Sequence, residues 1–157
     1  MPWDDVFIYG DSMFRLVQGE MARVHFPWFE TYKDLYGEAV RKAILAGLAI
    51  EEEELDRYRR KQIELRCGLA ELMRNEKIDV RISPAQAGIA PKHGQGTGWG
   101  GMTQIWSFTG CPEISIPAAT INNLPIGFQC TGGCGGDEEL LQWAGQIATR
   151  LGAETVG

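Results

Sequence analysis

The sequence predicts an α/β fold, and three observations carry that prediction. Long stretches repeat apolar residues every three or four positions. Shorter stretches alternate or run extended between prolines and glycines. The helical and extended patterns then succeed one another along the chain. At 157 residues the chain suits one domain, residues 1–157, long enough to bury roughly 70% of its unfolded surface. Hydrophobic and charged contents of 44% and 23% are those of an ordinary globular protein.

Asp11 or Ser12 can cap a first helix carrying Phe14, Val17, Met21 and Val24, which Pro27 ends or kinks. A second helical segment, Tyr32 to Ile50, carries Leu35, Val40, Ile44, Leu45 and Leu48, with Gly37 and Gly47 weakening its continuity. The clearest helix runs from Glu52 to Asn75. Leu55, Tyr58, Leu65, Leu69 and Leu72 form its apolar stripe, and Glu, Arg and Lys fill the other side. The acidic run Glu51 to Glu54 sits where the helix dipole favours negative charge and reads as a solvated helix start.

Ile78, Val80 and Ile82 alternate with Asp79 and Arg81, a short strand with one buried face. Ser83 to Gly101, with Pro84, Pro91 and many glycines, reads as a long loop, and loops of that length are functional or mobile. Ile114 to Thr120 and Pro125 to Thr131 read as strands of a hairpin turned at Asn122-Asn123, since Asn tolerates left-handed dihedrals. Asp137 caps a last helix with the stripe Leu140, Leu141, Ala144, Ile147, Ala148 and Leu151, which Gly152 ends.

Composition narrows the function. A net charge of −6 is the wrong sign for a nucleic-acid footprint. No apolar run reaches the roughly 20 residues of a membrane span, and the acidic start Met1-Pro2-Trp3-Asp4-Asp5 is unlike a signal peptide. A cytoplasmic location is expected, and with it free thiols at Cys67, Cys111, Cys130 and Cys134. Cys130 and Cys134 could in principle hold a metal, but zinc would lack its usual four ligands. No metal or other cofactor is expected. Val6 to Tyr9 followed by Gly10-Asp11-Ser12 resembles the nucleophile block of GDSL-type esterases, which makes Ser12 a remote candidate. That mechanism needs an Asp-x-x-His pair, and neither His25 nor His93 has an Asp three residues before it.

Five blocks in order carry a stronger resemblance. They are Asp79-Val80 through Pro84, Ala90-Pro91, Thr103 through Pro117 (with Gly110-Cys111-Pro112), Leu124-Pro125-Ile126-Gly127-Phe128-Gln129, and Gly136-Asp137-Glu138-Glu139-Leu140-Leu141. Gly19-Glu20, His25, Tyr36-Gly37, Val40-Arg41 and Gly47 fit the helices before them. In this order they resemble the C-terminal portion of amidase-signature enzymes. The resemblance implies part of that family's α/β/α sandwich with a mixed sheet. It also implies hydrolysis of a carboxylic amide to an acid plus ammonia or amine in an intact enzyme. There a serine, activated through a second serine by a lysine, attacks the amide carbonyl. Those residues occupy the family's N-terminal part. Here Ser12, Ser83, Ser107 and Ser115 are the only serines, none adjacent to another, and the run Gly94 to Gly101 contains none. No catalytic residue is therefore assigned.

The family places substrate selection in this region, so Thr103, Trp106, Ser107 and Phe108 are candidates to line an acyl pocket. Ser107 stands where family members usually carry Asn. Gly100 stands where members that draw ammonia from glutamine tend to carry Asp. The two prolines around Glu113 to Ile116 suggest a short or edge strand, and Gln129 could bond a neighbouring backbone. The expected partners are a small-molecule amide in the intact enzyme and an N-terminal amidase half or a homo-oligomer. The chain is expected to be either a piece of a longer enzyme, such as a truncated reading frame, or a non-catalytic partner subunit.

Overall fold

The computed structural model describes residues 10–96 and 100–152. The Val6 to Tyr9 pattern and Thr97 to Trp99 of the glycine-rich run lie outside them. The chain divides into two compact units, Pro2–Leu65 and Arg66–Gly157. The elements are α1 (Gly10–Tyr32), a 3-10 turn (Lys33–Leu35), α2 (Glu38–Leu48), α3 (Glu52–Glu76), β1 (Arg81–Pro84), α4 (Gly101–Thr109), β2 (Glu113–Ile121), β3 (Leu124–Thr131) and α5 (Asp137–Leu151). The α/β class expected from the sequence is what forms. No helix among the described residues is long and apolar enough to cross a membrane.

In the first unit, α1 runs through Pro27 to Tyr32 rather than ending there. Asp11 and Ser12 lie inside its first turn and not at a cap. Its buried side is Met13, Leu16, Gly19, Ala22 and Phe29. Three of the four residues of the expected stripe face out instead, Phe14, Val17 and Val24 being exposed by 54%, 52% and 59%, while Met21 is half-buried. The reason is how closely α2 approaches. A Cβ on Gly47 would lie 1.9 Å from the Gln18 carbonyl oxygen and 2.8 Å from Ala22 Cβ. Small residues on α1 permit that crossing, and the bulky stripe would not. Gly47 is thus required at the contact rather than being a weak point of α2. Ile44 is fully buried in a cluster with Ala22 and Phe29, against which Met21 and Tyr36 pack.

The acidic start of α3 takes charged partners from α1 instead of facing only solvent. Glu52 binds Arg23 and Arg59, Arg59 also reaches Glu20 at 2.7 Å and Asp56 at 2.8 Å, and Arg15 reaches Glu54 at 3.4 Å. Hydrogen bonds from Arg23 and then Arg59 hold the Glu52 carboxyl below its ordinary value. At Glu54 the Tyr58 hydroxyl is the larger cause and Arg15 the smaller.

In the second unit, α3 ends on a left-handed Lys77 (φ 54°), with the Ile78 amide bonded to the Met73 carbonyl at 2.8 Å. The sheet order is β1-β3-β2. Both pairings are antiparallel, and none of these strands supplies the parallel neighbour a mixed sheet requires. Asn122 and Asn123 both take positive φ (52° and 61°) and close the β2–β3 hairpin at the expected position. Among the described residues β2 is an edge strand, which tolerates Pro117, and a bulge separates Pro117 from Ala119. Ile116, Cys130, Leu140 and Ala144 form the core, packed by Val80, Ile114, Phe128, Ile147 and Ala148. Of the stripe expected on α5, Leu141 and Leu151 are instead exposed. The helix starts after Gly136 with no side-chain cap, Asp137 being its first residue, and ends as expected on a left-handed Gly152.

The expected free thiols need correction. Cys111 and Cys134 form a disulfide, leaving Cys67 exposed and Cys130 buried as free cysteines. The bridge closes a separation of 23 residues, worth about 3 kcal/mol on chain-entropy grounds. Spacing along the chain gave no sign of it, because Cys111 and Cys134 meet only once β2 and β3 have paired.

Two outcomes are expected of the helical unit. Gly47→Ala should destabilise the protein by about 1–3 kcal/mol, read from the urea midpoint, because the α1–α2 crossing must open. Glu52 and Glu54 have lowered folded pKa values, so their contribution is complete above the ordinary 4.5 and is lost as pH falls through the folded values. A Glu52→Gln/Glu54→Gln variant should therefore lose less stability than the parent between neutral pH and pH below that value.

Candidate functional site

Strand periodicity gives the sheet two unlike faces. Gln129 stands opposite Ser83 and Ser115, and Thr131 opposite Arg81 and Glu113, so these six share one face. The opposite face carries Ile114, Ile116, Phe128 and Cys130 into the apolar core. On the polar face Arg81, Gln129 and Thr131 are nonetheless buried. Alternation alone predicted the reverse at β1, where Arg81 is buried and Ile82 is 63% exposed.

Helix α4, a nine-residue helix within the Thr103 to Pro117 block and the glycines before it, supplies the cover. Gly100 precedes it, and Thr103 Oγ1 donates to the Gly100 carbonyl at 3.1 Å. A left-handed Gly110 (φ 67°) ends it, and the Cys111 amide donates back to the Trp106 carbonyl at 3.1 Å. Gln129 Nε2 donates to the Met102 carbonyl at 3.2 Å and to Glu113 Oε2 at 3.0 Å, which realises its expected backbone contact. The Arg81 guanidinium lies 4.3 Å from the centre of the Trp106 ring, a cation–π contact, and donates to the Gly132 carbonyl at 3.4 Å. Among the described residues the buried Trp106 indole N–H meets no acceptor.

Charge on this face is set by burial. Desolvation pushes the Arg81 guanidinium down to about 10, which leaves it protonated at neutral pH. Glu113 is exposed as a residue, but its Oε2 meets the buried Gln129 amide, and desolvation raises its carboxyl above the ordinary range. Burial likewise raises the Cys130 thiol, making it a poor nucleophile.

The four pocket candidates do not behave alike. At about 100° per residue, Thr103, Trp106 and Ser107 project from one side of α4 and Phe108 from another. Trp106 and Phe108 are buried, Thr103 is half-buried and Ser107 is exposed. Arg81 and Glu113 join the site without being among the residues expected from the sequence. Arg81 holds a polar position of the Ile78–Ile82 alternation, as Asp79 does, so the pattern carries no signal that it is buried. A separate open cleft of about 400 Å³ lies at the start of α5, lined by Gly133, Cys134, Gly135, Gly136, Glu138 and Glu139.

Ser12, the remote esterase candidate, is 4% exposed in the first turn of α1 and accepts from Lys61 Nζ at 3.3 Å. A hydroxyl so enclosed is closed to substrate. His25 is engaged elsewhere, with Nδ1 2.8 Å from the Tyr36 hydroxyl, which also accepts from the Trp28 indole at 2.9 Å. Among the described residues no group of three or more His, Cys, Asp or Glu side chains could hold a metal ion.

The chain is similar to known proteins over most of its length. A family model described as Amidase matches residues 22–141. A crystal structure of an amidase is 28% identical with a TM-score of 0.79, over 89% of this chain and 35% of that one. An inhibitor-bound vestigial protein complex, described as revealing the evolutionary origins of an s-triazine catabolic enzyme, is 24% identical with a TM-score of 0.81, over 99% of this chain and 36% of that one. A bacterial aryl acylamidase of the amidase-signature family is 22% identical with a TM-score of 0.63, over 94% of this chain and 35% of that one. The latter two likenesses concern the fold. No curated protein matches. The chain spans about a third of the length of these solved structures.

The raised carboxyl of Glu113 has a measurable consequence. Its folded pKa lies above the ordinary 4.5, so charging it costs the folded state stability as pH rises through that interval. Glu113→Gln keeps an acceptor for Gln129 and removes the charge. The variant should melt above the parent at pH 7, and the gap should close as pH falls below 4.5.

Proposed function

Because the chain belongs to the amidase family, we propose that it supplies the C-terminal, substrate-facing portion of an amide hydrolase. The intact protein would cleave a carboxylic amide to an acid plus ammonia or amine. Thr103, Trp106 and Ser107 on α4 would form part of the acyl pocket, with Phe108 fixing the helix from its other side. The observation that carries this reading is the family match over residues 22–141. The polar face that anchors α4 supports it, since a pocket wall needs one fixed orientation. Trp106 would suit an apolar acyl or aryl group.

The chain contributes no nucleophile to this reaction, because the family's paired serines have no counterpart here. The activity then belongs to an assembly with a nucleophile-bearing segment. A second reading, a non-catalytic partner subunit derived from an amidase, gains support from the structural neighbour described as a vestigial protein complex.

Co-expression with an N-terminal amidase segment, followed by an assay for ammonia release from aliphatic and aromatic amides, tests the proposal. The expected result is release by the complex and none by this chain alone. Trp106→Ala in that complex should raise KM more than it lowers kcat. A soluble, co-purifying complex that releases no ammonia would favour the partner-subunit reading.

A further inference from the structure

The geometry points to the Cys111–Cys134 bridge as a reversible thiol-exchange site, at which a small thiol enters at Cys134 and frees the glycine loop leading into α5. The two sulfurs differ in access. Cys111 is 7% exposed, whereas Cys134 is only half-buried and lines the open 400 Å³ cleft at the start of α5. Disulfides reached by solvent are the labile ones.

An incoming thiolate therefore forms its bond to Cys134 Sγ, and the Cys134–Cys111 bond breaks. Cys111 leaves as a thiolate and takes a proton from solvent. A second thiolate attacks the added sulfur, releases Cys134 as a thiol and carries off the small-molecule disulfide. Two thiols are oxidised and one protein disulfide is reduced, so the reductant is a low-molecular-weight thiol or dithiol.

What the bridge restrains gives the exchange an effect. Cys134 sits between Gly132-Gly133 and Gly135-Gly136, and Gly135 has a φ of 83°. That segment is tied through backbone bonds from Gly132 N to Pro112 O (3.0 Å), Gly136 N to Gly133 O (2.9 Å) and Leu140 N to Gly136 O (2.9 Å). Gly136 brings no side-chain cap to α5. A run of glycines has much freedom to regain once the covalent tie opens. Leu140, which starts the apolar core of this unit, is only four residues beyond Gly136.

The test takes the full chain purified without reductant and then adds excess dithiothreitol under native conditions. Alkylation after unfolding, read by mass spectrometry, should find two free thiols (Cys67 and Cys130) before reduction and four after it. Limited reduction with glutathione should place the adduct on Cys134 and not on Cys111. Hydrogen exchange of the amides in residues 133–140 should rise about tenfold on reduction and return on reoxidation. A Cys111→Ser/Cys134→Ser protein should exchange at the fast rate with or without dithiothreitol. A bridge that native reduction leaves closed, an adduct on Cys111, or exchange indifferent to reduction would each overturn the inference.

Discussion

Hydrogen bonding of β3 on both of its edges is the constraint on which the strand-bearing unit depends. Its register with β1 and β2 places Gln129 between Ser83 and Ser115, and Cys130 between Ile82 and Ile114. A slip of one residue would exchange the two faces, putting Cys130 under α4 and Gln129 into the apolar core. Both ends of the β2–β3 ladder are secured against such a slip. Asn122 and Asn123 close one end with left-handed dihedrals, and the Cys111–Cys134 bridge lies just beyond the other. The bulge after Pro117 confines the irregularity to the turn-proximal half of the hairpin, away from Gln129.

The helical unit is held by a different balance. Ala22, Phe29 and Ile44 form one cluster of its interior, and the close α1–α2 crossing depends on the missing side chain of Gly47. The arginines of α1 and the carboxylates at the start of α3 add orientation more than energy, because their side chains remain well solvated. The apolar residues left outside on α1, Phe14, Val17 and Val24, follow from that geometry. Close backbone approach selects the small-residue side, whatever the hydrophobicity of the other.

Helix positions, the hairpin turn and the end of α5 were legible because each rests on a local rule. Apolar period marks a helix, paired asparagines mark a tight turn, and glycine marks a left-handed end. Which side of an element is buried was less legible, since that depends on the partner. Phe14 and Val17 on α1, Leu141 and Leu151 on α5, and Ile82 on β1 all obeyed the period and ended up exposed. Helix α4 was hidden by the glycines before it and by its nine-residue length. The Cys111–Cys134 contact was hidden because the hairpin creates it. At the site, family likeness directed attention to Thr103, Trp106, Ser107 and Phe108, whereas the groups that hold α4 in place lie on β1, β2 and β3.

Those holding groups bear on what the site is for. The face of the sheet packed in the apolar core is covered by leucine, alanine and isoleucine, which suffices for a scaffold. On the other face Arg81 and Gln129 are buried at a desolvation cost that apolar residues would have avoided. What such polar contacts add is a single geometry. Gln129 satisfies the Met102 carbonyl and the Glu113 carboxylate together, and Arg81 stacks on Trp106, so rotation or sliding of α4 breaks at least one of these contacts. A helix fixed this firmly is suited to shaping a pocket. It is not suited to attacking a carbonyl, because α4 offers only the exposed Ser107 and the short hydroxyls of Thr103 and Thr109. Thr103 and Thr109 already donate to backbone carbonyls of the same turn. Under the proposed function, that rigidity would serve one wall of an acyl pocket, and the attacking serine would come from elsewhere in the intact enzyme.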